Sequence, residues 1–179
     1  GRMEEPATIL DALDALADGR RDFAGLKVLV TAGPTPEFAD PVRYVSNRST
    51  GKMGYAIARA ARNRGAAVTL LSGPVELAPP VGVEVVNINT TRELYAAATE
   101  RAPGADVVIQ AAAPADFRPA QYAQSKIKKS GEGMRLDLAA NPDVARALGE
   151  AKREGQILVA KTRAASFCAK TPISSWPTM

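Results

Sequence analysis

Arg43, Asn47, Arg48 and Lys52 crowd one short stretch of this chain, with Ser49, Thr50 and Gly51 among them. Guanidinium, ammonium, amide and hydroxyl groups supply many hydrogen-bond donors there and no carboxylate. The chemistry such a set performs is capture of an anion, above all a phosphate. The stretch ends a long loop, Thr31–Gly54, that separates the apolar run Leu26–Val30 from a helical pattern beginning near Gly51. A strand that empties into a Gly/Pro/Ser/Thr loop and then a helix N-terminus offers backbone N–H groups to phosphate. The loop far exceeds the roughly two to six residues of an ordinary βα connection, which marks it as functional. Ser49 or Thr50 as a plain helix cap, worth about 1 kcal/mol, explains the helix start but not the crowd of cations.

Three further segments carry polar chemistry. Ala111–Phe117 (Ala-Ala-Ala-Pro-Ala-Asp-Phe) has small residues where a strand ends, which admits a flat base or sugar. Its Asp116 either holds a metal or a ligand hydroxyl, or simply forms a turn. Lys126-Ile-Lys-Lys129 alternates, which puts Lys126 and Lys128 on one strand face, turned either to phosphates or to water. Asn141-Pro142-Asp143 reads as a helix entry, with Asn141 as cap and Pro142 in the first helical position.

Composition removes other chemistries. Among 179 residues there is no histidine, and Cys168 is the one cysteine. Mechanisms built on a His base, a Cys nucleophile or a typical zinc site are thereby disfavoured. Phosphoryl and nucleotidyl transfer remain, because alignment and neutralised oxygens lower their barriers. The single cysteine fits a reducing compartment, no apolar run suits a membrane span, and the expected location is the cytoplasm. A net charge of +4 suits anionic ligands, but aromatic residues make up only 5%, which argues against a nucleic-acid surface. The spacing Gly33…Gly51…Gly54 is neither a dinucleotide fingerprint nor a Walker loop, so NAD binding is disfavoured.

The elements that must position these groups alternate. A leading helix is expected over 4–24, then strands at 27–31, 67–72, 83–88, 105–110 and 156–160, with a shorter one at 134–138. Helices are expected at 52–64, 91–101 and 142–154, with Thr90 or Thr91 capping the second. The pattern predicts an α/β fold, a Rossmann-like parallel sheet with helices on both faces. Loops after Val30, Ser72, Ile109 and Ala160 should then share one mouth at the carboxyl edge.

Asp40–Gly54 (Asp-Pro-Val-Arg-Tyr-Val-Ser-Asn-Arg-Ser-Thr-Gly-Lys-Met-Gly), Ala111–Phe117, Lys126–Lys129 and Asn141–Val144, in this order, resemble the phosphopantothenate–cysteine ligase family. That family is the synthetase half of the bacterial bifunctional coenzyme A enzyme. The resemblance covers about Gly25 to Ala160, and residues 1–24 resemble the junction with a decarboxylase domain. It implies a reaction of 4′-phosphopantothenate with CTP and Mg²⁺ to an acyl-cytidylate, which L-cysteine then converts to the amide, and it implies a homodimer. By carry-over, Asn47, Arg43 and Lys126 are catalytic, and Ser49, Thr50 and Gly51 bind the substrate phosphate. Gly33, Pro34, Thr35, Gln110, Ala111, Ala112, Asp116, Lys126, Pro142, Asp143, Val144 and Ala145 line the nucleotide site, with Asp116 as the metal candidate.

The chain departs from the family at Pro36, where many members have arginine, and mildly at Thr50 and Pro114. The larger departure is the tail, 161–179, which lacks the family's Phe-Ala-Ala-Glu-Thr motif, its lysine-rich helix and its Val-x-Asn strand. Back-translated with suitable codons and read two nucleotides later, the tail yields RKLLRKDADILVAND, similar to the missing segment. A frameshift near Ala160 is therefore the expected origin, which sequencing the coding DNA tests. With the tail as written, the expectation is a nucleotide-binding core of little turnover, an exposed last strand and a disordered end.

Overall fold

Leu26, Val28, Leu29 and Val30 are apolar and fall on both sides of an extended stretch, as a strand covered on two faces requires. In the computed structural model all of it but Leu26 lies within β1 (Lys27–Ala32), buried from Val28 onward. The structure describes residues 19–129, 131 and 133–160, together with residues 9, 10, 13, 14 and 16, which are helical. The expectations for 161–179, and for most of the leading helix, lie outside the described residues.

After β1 come a small hairpin, β2 (Glu37–Phe38) and β3 (Tyr44–Val45), and then α1 (Lys52–Asn63). The chain continues through β4 (Ala67–Ser72), β5 (Glu84–Asn87), α2 (Thr91–Arg101) and a short 3₁₀ turn, Ala102–Gly104. It ends with β6 (Val107–Gln110), β7 (Phe117–Pro119), β8 (Leu138–Ala140), α3 (Val144–Glu150) and β9 (Ile157–Ala160). Five strands form one sheet in the order β5-β4-β1-β6-β9, every pair parallel. That order reverses direction between β1 and β6, the switch point where open α/β sheets take their ligands.

Alternation along β1 divides the core in two. Val28, Val30 and Ala32 pack with Tyr55, Ala58 and Ala61 of α1. Leu29 faces the other way, with Leu94 and Ala98 of α2 and Val144 and Leu148 of α3. Helices thus cover both faces, as the sequence pattern requires. Gly54 lets α1 sit close on β1, since a Cβ there would lie 2.5 Å from the Ala32 Cβ.

Several boundaries differ from the sequence reading. The strand expected at 134–138 is instead Leu138–Ala140, paired antiparallel with β7. Residues 126–129 are not a strand, so the alternation of Lys126 and Lys128 does not define a sheet face. The helix expected from Pro142 begins at Val144, and its cap is Asp143, whose side chain accepts from Arg146 N, rather than Asn141. It also stops at Glu150 rather than 154. The β2–β3 hairpin and strand β7 have no counterpart in the sequence reading, being too short to give a periodic signal. Strand β9 is an edge of the sheet among the described residues, with Ile157 and Val159 half exposed.

Candidate functional site

The site begins at the N-terminus of α1. Gly51 is its N-cap in the left-handed conformation (φ 73°), and no side chain caps the helix. Ser49 and Thr50 are therefore not helix caps; the Ser49 hydroxyl instead accepts a long bond from Gly51 N, at 3.4 Å. The leading N–H groups of a helix carry about half a positive charge between them and lack partners within the helix. Here they open into a cleft of about 370 Å³ lined by Arg48, Ser49, Thr50, Gly51, Lys52, Met53 and Ala111. Ala111 belongs to the loop after β6, so the cleft straddles the switch point.

Asn47 joins the two sides. Its Nδ2 donates to the Pro114 carbonyl at 2.8 Å, fastening the loop before α1 to the loop after β6. Pro34 and Ala113 form a parallel bridge beside it. The amides of Ala111 and Ala112 both donate to Thr31 Oγ1, at 3.2 and 3.1 Å, and Ala113 N donates to Gly33 O at 2.9 Å. These amides are engaged within the protein, so a ligand here meets the carbonyls and small side chains of the loop. Gln110 contributes an acceptor: its buried Oε1 has no hydrogen-bond partner among the described residues. A buried carbonyl without a partner is costly, and a bound donor would satisfy it.

Arg43 sits at the base of the hairpin rather than on the cleft lining. Its Nη1 pairs with Asp40 Oδ2 at 2.8 Å, and Asp40 is fully buried. The Asp40 carboxylate also accepts from Val42 N and Arg43 N, each at 2.8 Å, and from Ile127 N at 3.1 Å. Through the last bond Asp40 holds the segment that carries Lys126. Burial opposes ionisation of Asp40, but the amides of Val42, Ile127 and Arg43 and the Arg43 guanidinium outweigh it and hold its carboxyl below the ordinary range.

A carboxyl whose pKa is depressed on folding contributes stability that is complete above its unfolded pKa, about 3.9, and is lost as pH falls through the folded value. The stability gap between the wild type and Asp40→Asn is therefore expected to be widest and flat above about pH 4 and to narrow below it. Urea unfolding at neutral pH and near pH 3 measures it, and a gap that does not change with pH contradicts this account of Asp40.

The remaining candidates divide by what their side chains touch. Thr35 is fully buried and its hydroxyl is bonded to Thr91 Oγ1 and Ala115 N, so it supports the loops from inside. Asp116 is exposed, and its carbonyl accepts from Asn141 N at 2.8 Å, which sets the Pro142–Ala145 turn beside the loop after β6. Lys126 is exposed and lines neither this cleft nor a second one beside the β7–β8 pair. No group of three or more His, Cys, Asp or Glu side chains gathers among the described residues. A magnesium ion that travels with a triphosphate takes most of its ligands from phosphate and water, so one exposed carboxylate such as Asp116 fits that need. No helix among the described residues is long and apolar enough to cross a membrane.

Comparison with known proteins gives this arrangement relatives. The family model described as the DNA/pantothenate metabolism flavoprotein C-terminal domain matches residues 23–171. The coenzyme A biosynthesis bifunctional protein CoaBC of Haemophilus influenzae is 46% identical over 152 residues, covering 85% of this chain and 38% of that protein. CoaBC of Mycobacterium tuberculosis is 50% identical over 151 residues, covering 83% and 35%. The chain thus spans little more than a third of the curated relatives it matches. Among solved structures, the C-terminal domain of CoaBC superposes with a TM-score of 0.67 at 40% identity, covering 77% of this chain and 64% of that one. A DNA/pantothenate metabolism flavoprotein from Streptococcus pneumoniae gives 0.66 at 27% identity, covering 75% and 68%.

Proposed function

Since the chain belongs to the family of the DNA/pantothenate metabolism flavoprotein C-terminal domain, we propose that it is the synthetase part of a coenzyme A biosynthesis protein. In this reading it is a ligase that joins 4′-phosphopantothenate to L-cysteine using CTP, and it works in the cytoplasm as a homodimer beside a decarboxylase domain. The observation that carries the reading is the uncapped N-terminus of α1, which opens with Arg48 and Lys52 into a cleft shared with the loop after β6.

In this reading the chemistry is the one that the family resemblance implies. Ser49, Thr50 and the amides from Gly51 onward take the phosphate of phosphopantothenate. CTP lies along Gly33–Thr35, Gln110–Ala112, Asp116 and Pro142–Ala145, and Lys126 neutralises the triphosphate. The pantothenate carboxylate attacks the α-phosphorus of CTP, a P–O bond breaks and pyrophosphate leaves. The cysteine amine then attacks the acyl-cytidylate carbonyl and CMP departs with the anhydride oxygen. Asp116 would help hold a Mg²⁺ ion travelling with the nucleotide, which would supply charge neutralisation on the phosphates. The residues themselves need only position and neutralise, which suits a chain without histidine.

In this reading Asn47, bonded to Pro114 O, steadies the anhydride oxygen. Asn47→Asp is expected to cut amide formation roughly a hundredfold, the scale of one lost oxyanion donor, while CTP affinity changes less than about threefold. Equal loss of both contradicts this role. For the dimer, the support is the exposed apolar set Phe38, Val42, Tyr44 and Val45 on one hairpin and Phe117 and Leu138 on the other. Thermal-shift measurements with CTP, ATP and NADPH, each with and without phosphopantothenate, test the function. The ligase reading expects the largest shift from CTP with phosphopantothenate; a shift from NADPH alone would make the protein an oxidoreductase.

A further inference from the structure

Behind the cleft lies a buried polar network that joins four loops distant in sequence. Thr35 and Glu37 follow β1, Thr91 opens α2, Ala115 follows β6, Arg118 is in β7 and Asn141 follows β8. Thr35, Glu37 and Thr91 are buried, at 0%, 3% and 1% exposure. Proton directions in the network are determined by groups with only one possible role. Thr91 Oγ1 lies 3.2 Å from the Ala115 carbonyl, which can only accept, so the Thr91 proton points there. Thr35 Oγ1, 2.8 Å from Thr91 Oγ1, must then donate to it, while accepting from Ala115 N at 2.8 Å. The result is a closed ring in which Ala115 both donates and accepts.

The amide of Asn141 is oriented just as strictly. Its Oδ1 accepts from Arg118 Nη1 at 3.2 Å, and a guanidinium can only donate. Its Nδ2 donates to Glu37 Oε1 at 3.0 Å and to Ala115 O at 2.9 Å, both acceptors. Glu37 Oε1 also accepts from Thr91 N at 2.8 Å, at the positive end of α2. We propose that Glu37 and Asn141 are positioning residues: Asn141 Nδ2, oriented by Glu37, bonds the Ala115 carbonyl and so clamps the loop after β6 and the Pro142–Ala145 turn into one rigid wall of the nucleotide site. This rests on the CTP reading above only for what the wall binds; the clamp itself is a statement about the protein alone. A network whose every member is satisfied holds one geometry, and a single reversed dipole opposes the rest.

Three variants of the whole chain test it. Asn141→Asp keeps the shape but turns an oxygen toward Glu37 and the Ala115 carbonyl. Glu37→Ala removes the acceptor, and Glu37→Gln keeps one. The readouts are amide hydrogen exchange at Ala115 and Asn141 without ligand, and CTP affinity by calorimetry. Asn141→Asp and Glu37→Ala are expected to speed exchange at both amides at least tenfold and to weaken CTP at least tenfold, with β1 amides unchanged. Glu37→Gln should restore both readouts to within about threefold of wild type. The proposal is overturned if exchange at Ala115 and Asn141 is unaffected, or if it rises only together with β1 in a general loss of stability. It is also overturned if local exchange rises while CTP affinity holds. If wild type does not bind CTP at millimolar concentration, the ligase reading fails, and exchange alone then decides the clamp.

Discussion

Gly73→Ala is expected to lower the free energy of unfolding by about 3 kcal/mol, the upper end of the usual range for overpacking. A Cβ at Gly73 would lie 1.9 Å from the Pro34 carbonyl oxygen, and backbone cannot move aside as a flexible side chain does. The loop after β4 and the loop after β1 touch at this point, so the added methyl presses on the Gly33–Thr35 segment. Thr35 carries the bond to Ala115 N, so displacement there reaches the loop after β6 as well. Gly104→Ala is the matched control: nothing lies within 4 Å of its Cβ position, and its stability should stay within about 0.5 kcal/mol of wild type. Chemical denaturation of the two variants side by side measures the difference. Equal stabilities would mean that the two loops do not meet as described.

The second large effect concerns ligand capture. Removing both cations of the cleft, Arg48→Ala with Lys52→Ala, is expected to weaken 4′-phosphopantothenate binding about a hundredfold. Each charge-assisted hydrogen bond contributes about 1.5 kcal/mol at the exposed end of its range, a factor of about ten. CTP affinity should change less than about threefold, because the nucleotide is assigned to the opposite wall. Both residues are exposed, so folding stability should hardly respond. Calorimetric titration with each ligand separates the walls. A loss shared equally between the two ligands would remove the division of the cleft into a phosphate side and a nucleotide side.

What the sequence made legible follows the range of the forces involved. The parallel sheet, α1 and α2 could be read because burial imposes periods of two and about 3.6 on neighbouring residues. The cleft was approachable for a similar reason, since Arg48 to Met53 are consecutive and their chemistry is local. Asn141 shows where this stops. As a residue before proline it reads as a helix cap, yet its side chain bonds Glu37, 104 positions away, and the cap is Asp143. No local pattern encodes such a partner. Thr35 is similar, because the family resemblance puts it beside the nucleotide, and only the fold turns its hydroxyl inward to Thr91. Arg43 reads as part of a cationic crowd, whereas the turn at Asp40 recruits its guanidinium. The hairpin β2–β3 and the strand β7 escaped because strands of two or three residues are too short to show a period.

Amide hydrogen exchange on the intact chain, alone and with each ligand, tests most directly whether one cleft holds both. The account predicts that 4′-phosphopantothenate protects the amides of residues 49–54 and that CTP protects those of residues 110–116 and 143–145, with the remainder of the sheet unchanged. Protection by neither ligand, or the same protection from NADPH as from CTP, would contradict it.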